Sequence, residues 1–296
     1  MWVSNMNKSE FDTLIKENLV AQFGPDFFGY HIPSTDRTYG NYYCEDAFFA
    51  FREEMKSSYP HIHHFYNRGK GSELKELPSR YGILPPKMAS VASSSRFCYL
   101  TLRDGAAALG TNNPVIFEHG CPITGVPGNA PQLDACIPAD SIYVEAKCHE
   151  IFDSHRVVMK NKYHNPIYGT DNAFGFEPRV STGTATFEIP LSDFGIQKSA
   201  SMFDIKQLLC HLMGIASQSE QPATLVYLFF IPKATDSVKQ KAVDDVFTAL
   251  REEIRCIFNS APIRHFCTAN QITLRAVAEN ASIMEPLSHE NLVSLI

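Results

Sequence analysis

One apolar run constrains the fold of this chain more than any other feature. Residues 223–232 read ATLVYLFFIP, which is the length of a strand, and the strand is expected to end at Ile231. A strand that is apolar on both faces must be covered on both sides. Helical periodicity flanks the run, upstream over residues 203–217, with Asp204 near the start, and downstream over residues 236–258. The sequence therefore predicts a central strand of an α/β sheet.

The first 86 residues favour helices. Ser9 is expected to cap a first helix that Gly24 and Pro25 end, and residues 45–58 form a second. Residues 59–86 are rich in polar residues, glycine and proline, which predicts a loop with one short helix. We therefore expect residues 1–86 to form an N-terminal helical extension packed on the core.

Residues 87–296 are predicted to form that core. A helix is expected over residues 87–103, an insertion at about 153–200 contains a hairpin at 182–190, and residues 271–278 form the last strand. Three short apolar strands are predicted after this helix, at residues 113–122, 132–138 and 141–148, and the last two are expected to form a hairpin. This order predicts a mixed central sheet flanked by helices on both faces.

Composition excludes several classes of protein. No run reaches the roughly 18 apolar residues of a membrane span, and the N-terminus lacks the pattern of a secretory signal. Eight cysteines in 296 residues, with no CxxC pair, indicate reduced thiols rather than a disulfide framework or a zinc site. These features predict a cytoplasmic protein with no membrane partner. The net charge of −6 argues against a wholly basic nucleic-acid-binding surface, although a local basic patch would suffice.

The segment DACIPADSIYVEAK carries the chemistry. Asp134 lies on one predicted strand, and Glu145 and Lys147 lie two positions apart on the next, so their side chains share a face. If the strands pair, Asp134 can lie beside Glu145. Two carboxylates suit Mg²⁺, and a neighbouring lysine can orient or deprotonate a metal-activated water. A structural ion pair is the alternative interpretation, because acid-x-Lys triplets also occur by chance.

Asp134, ten intervening residues and Glu145-Ala146-Lys147 on a hairpin resemble the PD-(D/E)XK nuclease superfamily, which has the restriction-endonuclease-like fold. The preceding proline, Pro131, is displaced by two residues from the ideal motif. The resemblance covers roughly residues 88–232. It implies that Asp134 and Glu145 bind Mg²⁺ or Mn²⁺, that the backbone carbonyl of Ala146 adds a ligand, and that Lys147 handles the water.

Four further residues are supporting candidates. The resemblance implies an additional acid that helps to bind the metal, for which Glu118 is the candidate, and an acid exposed at the end of a strand is the alternative interpretation. Gln207 and His211 lie one turn apart on the predicted crossover helix, where some exonuclease-like members carry Gln-x-x-x-Tyr, and histidine replaces the tyrosine here. A solvated polar stripe on the helix is the alternative interpretation. Glu150 is placed either to support the site or to cap the strand.

The sequence thus predicts a metal-dependent nuclease that hydrolyses DNA. A noncatalytic relative that binds nucleic acid or protein is the second hypothesis, and an unrelated α/β enzyme with its site in residues 153–200 is the third. The sequence leaves open whether the substrate is DNA or RNA, whether cleavage is internal or terminal, and whether the chain works as a homodimer.

Overall fold

The computed structural model describes residues 6–68, 73–79, 82–169, 172–180, 183–218, 222–279 and 292–294. Its N-terminal part alternates helices with two small antiparallel strand pairs, β1 with β2 and β3 with β4. The elements are α1 (Lys8–Phe23), β1 (Phe28–Ile32), β2 (Arg37–Tyr43), α2 (Glu45–Ser58), α3 (Pro60–Arg68), β3 (Leu77–Ser79), β4 (Gly82–Leu84) and α4 (Ser94–Leu102). The predicted second helix is confirmed, whereas the four strands were not predicted from the sequence.

The first helix begins earlier than predicted. Asn7, not Ser9, is its N-cap, because the Asn7 side chain accepts a hydrogen bond from the Glu10 backbone N–H. The Glu10 carboxylate accepts one from the Asn7 N–H in return, which completes a capping box. Gly24 ends the helix with a positive φ of 85°.

The helix predicted over residues 87–103 is only half formed. Ser93 caps α4, and its hydroxyl accepts a hydrogen bond from the Arg96 N–H at 3.1 Å. Upstream of this cap, the Val91 N–H donates to the carbonyl of Asn41 at 2.9 Å. Asn41 lies near the end of β2. A helix that started at residue 87 would need the Val91 N–H for its own hydrogen bonds, so the predicted helix was wrong over its first half.

The C-terminal part contains the main sheet. Its elements are β5 (Ile116–Gly120), β6 (Gln132–Ile137), β7 (Ile142–Lys147), β8 (Val157–Lys160), α5 (His164–Tyr168), β9 (Thr186–Ile189), α6 (Ile205–Ala216), β10 (Ala223–Phe230), α7 (Ser237–Phe258), α8 (Ala261–Ala269), β11 (Ile272–Glu279) and β12 (Leu292–Ser294). The sequence predicted β5, β6, β7, β10 and β11 with shifted ends, and it missed α8.

The main sheet is mixed. Its strand order is β12-β11-β10-β7-β6-β5, in which β5, β6 and β7 are antiparallel and β7, β10 and β11 are parallel. Phe97 of α4 contacts Phe230, whereas His211 of α6 contacts Tyr227. Because residues an odd number of positions apart on a strand point to opposite faces, α4 and α6 cover opposite sides of β10. The predicted mixed sheet flanked by helices is confirmed.

The inserted region differs from its prediction. β9 does not form a hairpin within residues 182–190; it pairs antiparallel with β8, with Val157 opposite Ile189. Both residues are buried, and burial of alternate β8 side chains fixes this register. Residue 182 lies outside the described residues.

Two further expectations from the sequence concern membrane-spanning segments and the cysteines. Across the described ranges, no helix has the length and apolar character needed to cross a membrane. The eight cysteines are free thiols, four of them buried.

Arg96 joins the N-terminal part to the core. Its guanidinium is fully buried, donates to the carbonyls of Met88 and Val91, and lies 4.2 Å from the ring centre of Tyr43. It therefore holds the irregular segment before α4 against the end of β2.

Replacing Arg96 should destabilise the protein strongly. Arg96→Ala leaves two buried carbonyls without their donor and opens a cavity, so we expect a loss of about 2–4 kcal/mol in the free energy of unfolding. Urea unfolding followed by circular dichroism measures it. Arg255→Ala is the control, because that exposed side chain pairs with Glu252 on the same helix and should change stability by less than about 0.5 kcal/mol. Equal effects in the two variants would contradict this role.

Candidate active site and metal centre

The strand register brings three acidic residues into one row. Phe117 pairs with Ala135, and His119 pairs with Leu133, which leaves Glu118 opposite Asp134. Ala135 in turn pairs with Val144, so Asp134 is the next residue along and stands opposite Glu145. Residues opposite one another in an antiparallel pair have Cβ atoms roughly 5 Å apart. The sheet therefore sets Glu118, Asp134 and Glu145 side by side, as the predicted hairpin requires.

The Asp134 side chain takes the place of a backbone carbonyl as hydrogen-bond acceptor for β7. Its Oδ2 atom accepts a hydrogen bond from the backbone N–H of Ala146 at 2.8 Å. This bond fixes the carboxylate beside β7 at the point where the β6–β7 register ends. Ala146 thus takes part through its N–H, while its carbonyl as a metal ligand stays a prediction.

Glu145, Lys147 and Gln207 form a closed hydrogen-bonded triangle. Lys147 Nζ donates to Glu145 Oε1 at 2.6 Å and to Gln207 Oε1 at 2.7 Å. Gln207 Nε2 donates to the same Glu145 oxygen at 2.7 Å. Asp204, the N-cap of α6, accepts from the Gln207 backbone N–H and so fixes the helix end that presents this side chain. The structure therefore brings three predicted residues into direct contact.

His211 ties α6 to β6 below this triangle. The ring is buried, and its Nε2–H donates to the carbonyl of Gln132 at 3.0 Å, two residues before Asp134. The same nitrogen lies 3.8 Å from Glu145 Oε2. Burial lowers the pKa of His211, and the Glu145 carboxylate opposes this effect. Tyr227, which sequence reasoning missed because it lies in an apolar strand, places its hydroxyl 3.5 Å from His211 Nδ1.

The carboxylates crowd one another. Burial raises the pKa of Asp134 well above its ordinary value, and the Glu145 carboxylate adds to the effect. Burial also raises the pKa of Glu118 to about 7, with Glu73 and Glu145 adding to it. Glu118 has a left-handed backbone, with φ of 54°, an uncommon conformation for a residue with a side chain. The row of acids therefore favours taking up positive charge, either protons or a cation.

Lys147 is a charged group in this setting. Burial works to lower its pKa, but Glu145, Glu150 and Asp134 outweigh burial and leave the pKa above its ordinary value. An ammonium that keeps its proton can orient a water or offset negative charge, and it is a poor base. The contacts of Lys147 are those of a hydrogen-bond donor, and its two predicted roles toward a water stay predictions.

Glu150 lies just beyond the strand that carries Glu145 and Lys147. Its Oε2 atom accepts the backbone N–H of Cys148 at 2.7 Å, which caps the end of β7. Its charge also helps to keep Lys147 protonated. Of the two roles that the sequence left open, the cap on β7 is observed, and support of the proposed site stays a prediction.

The donor set fits a hard cation that keeps part of its water shell. Asp134 and Glu145 offer carboxylate oxygens from adjacent strands, and Mg²⁺ is commonly held by one or two carboxylates plus water. Among the residues that the structure describes, no group of three or more histidine, cysteine or acidic side chains is arranged so that it could hold a metal ion. A divalent cation at the two carboxylates therefore stays a prediction.

Comparisons of the chain with protein-family models, with curated proteins and with solved structures return no match.

Glu118 should make the stability of the metal-free protein depend on pH. Its folded pKa of about 7 exceeds the ordinary 4.5, so the folded state holds its proton longer than the unfolded state and loses stability as the pH rises between these values. Glu118→Gln should therefore be neutral near pH 4.5 and stabilising by about 2 kcal/mol at pH 8.

Urea unfolding at the two pH values, with EDTA present, measures this effect. Glu252→Gln, on the exposed side of α7, is the control and should show the same stability difference from wild type at both pH values. A Glu118→Gln variant that behaves like this control would show that Glu118 is solvated like a surface acid.

Proposed function

We propose that this protein is a magnesium-dependent phosphodiesterase that hydrolyses DNA, with its active centre at Asp134, Glu145 and Lys147. One observation carries the proposal: two carboxylates from adjacent antiparallel strands stand opposite each other, and a charged lysine is bonded to one of them. Mn²⁺ is expected to replace Mg²⁺.

The order of the elements supports a restriction-endonuclease-like core. α4, the β5–β6–β7 meander, the crossover helix α6 and the parallel strand β10 follow the sequence order that the PD-(D/E)XK resemblance implies. The proposed site lies on the meander, at the face covered by α6. We propose the nuclease fold because the order of the elements and the residues of the site both agree with the resemblance. Neither would be sufficient alone.

Each protein group has a defined task in the proposed reaction. Bound Mg²⁺ would lower the pKa of a water and offset charge on the scissile phosphate. Asp134 and Glu145 would hold the ion, with Asp134 fixed by the Ala146 N–H and Glu145 by Gln207. The Lys147 ammonium would orient the attacking water, and the bond to Gln207 limits its motion.

Basic side chains near the site support a nucleic-acid substrate. Lys206 precedes Gln207 on α6 and is exposed, and Lys160 is exposed at the end of β8, which packs against α6. Arg156 is less suited to contact phosphate, because Glu188 binds its guanidinium at 2.5 and 2.9 Å. A local positive edge of this kind would allow an acidic chain to bind DNA.

Lys147→Ala and Asp134→Asn should abolish cleavage. We expect Mg²⁺-dependent cleavage of DNA by the wild type and a loss of at least about 100-fold in rate for each variant, because each removes a group that acts on the water or the metal. Lys241→Ala is the control, since this lysine is exposed and pairs with Asp245 away from the site. Cleavage is measured with labelled single- and double-stranded DNA and with RNA, with and without EDTA.

The assay also separates the competing functions. A folded wild-type protein that cleaves no nucleic acid in Mg²⁺ or Mn²⁺ would contradict the proposal. DNA binding that is insensitive to EDTA, without hydrolysis, would instead support a noncatalytic binding protein with the same fold. RNA cleavage without DNA cleavage would keep the chemistry and correct the substrate.

A further inference from the structure

A cavity of about 450 Å³ opens between β1, the start of α2 and the segment that leads into β3. Its floor contains the buried side chains of Phe48 and Leu74. The Tyr30 ring also lines it and lies edge-on to Phe48, with the ring centres 6.3 Å apart. Pockets for small ligands span roughly 300–1,000 Å³ and are mostly apolar, so this cavity is large enough for a flat ring system.

Phe49 adds an exposed aromatic face to the cavity. Its side chain is 55% exposed and lines the cavity on the solvent side. Arg52, three positions further along α2, places its guanidinium carbon 5.5 Å from the centre of the Phe49 ring. A single exposed apolar side chain needs no special cause. An aromatic ring beside a cation at the opening of a cavity, however, is an arrangement on which an unpaired nucleobase can stack.

Both carboxylates and cations line the cavity, namely those of Glu45, Asp46, Glu76, Arg52 and Lys75. Tyr30 holds one of the carboxylates, because its hydroxyl donates to Glu76 Oε1 at 3.3 Å. Burial and the neighbouring Glu76 raise the pKa of Tyr30 to about 12, so the hydroxyl remains a donor. Carboxylates repel phosphate, but they accept hydrogen bonds from amino groups on the edge of a base. The cavity therefore suits a base with an amino group whose phosphates stay outside, near the cations.

The helix α3 connects this cavity to the strand that carries Glu118. α2 packs on α3, and α3 packs on β5, where the rings of Tyr66 and Phe117 lie 5.5 Å apart. α3 contains no acidic residue, and the polar side chains that it exposes include His61, His64 and Arg68. A phosphate backbone that leads from the cavity toward the proposed active centre would therefore meet no negative side chain of α3.

We propose that this cavity binds one unpaired nucleobase with an exocyclic amino group, such as cytosine, from a single-stranded nucleic acid. The base would stack on Phe49, its amino group would donate to Glu76, and the flanking phosphates would lie near Arg52 and Lys75. A base stacked inside a duplex cannot offer its face to Phe49, so the partner is single-stranded. That the bound strand is also the one cleaved rests on the proposed function, whereas the binding itself does not.

Fluorescence anisotropy with labelled dodecamers of deoxycytidine and of deoxyuridine tests the cavity without cleavage, because EDTA is present throughout. The two bases have the same size, and cytosine carries an amino group where uracil carries a carbonyl. We expect the wild type to bind the deoxycytidine strand roughly tenfold more tightly, which is the size of one well-placed base contact.

Phe49→Ala should weaken binding of the deoxycytidine strand by roughly tenfold, because one base loses its stacking partner. Phe49→Tyr keeps an aromatic ring and should bind like the wild type. Val238→Ala is the matched control, since Val238 is 76% exposed on α7 and its replacement should leave binding unchanged. Binding of duplex DNA should be the same in all these variants, because paired bases stay stacked inside the duplex.

Glu76→Gln tests the acceptor. A glutamine amide both donates and accepts, so the preference for deoxycytidine over deoxyuridine should fall to about twofold or less. The Tyr30 hydroxyl can still donate to the amide oxygen, which keeps the cavity wall in place. Glu252→Gln, on the exposed side of α7, is the control and should keep the full preference.

Each remaining outcome decides the proposal. Equal binding of the two strands by the wild type, or unchanged binding by Phe49→Ala, would overturn the cavity as a base-binding site. Cleavage of DNA without dependence of binding on Phe49 would overturn this site and keep the proposed function. A preference for deoxycytidine that depends on Phe49 and Glu76, in a protein that cleaves nothing, would support the site while the proposed function fails. No binding of either strand would overturn the site.

Discussion

The bond network of Glu145, Lys147 and Gln207 is the constraint on which the site depends. A carboxylate and an ammonium inside a sheet are stable only when their bonding capacity is used, and here all three polar groups bond to one another. The network also holds α6 against β7. If the crossover helix shifted, the buried charges of Glu145 and Lys147 would lose their partner. The same hydrogen bonds therefore hold the helix in place and position the side chains of the proposed site.

Asp134 adds a second kind of constraint. Because its side chain takes the Ala146 N–H, it ends the pairing of β6 with β7 and keeps a carboxylate at the opening between them. His211 holds the carbonyl of Gln132 from the other side, so the end of β6 is fixed to both the sheet and α6. These bonds fix the Asp134 carboxylate and the start of β6, which is the preorganisation that the proposed cation site would need.

Buried acids in this fold are of two kinds. Glu253 has its oxygens saturated by backbone N–H groups, a hydroxyl and a lysine, which is how a glutamate stabilises a loop. Asp134 and Glu118 instead lie in a row with Glu145, and burial together with neighbouring carboxylates raises the pKa of both. Such a row is unfavourable for stability by itself, and it is the physical basis of the proposed cation site.

The sequence by itself determined the elements whose patterns are local: α2, α6 with its Asp204 cap, the buried strand β10, the hairpin of β6 and β7, and the shared face of Glu145 and Lys147. Alternation and helical spacing decide these, since they depend only on neighbours along the chain. Tertiary structure alone decided the rest. The Asn41 carbonyl shortened α4, β8 became the partner of β9, and the Arg96 guanidinium came to lie over the ring of Tyr43. Such long-range pairings depend on which surfaces are buried together, and no local spacing encodes that choice.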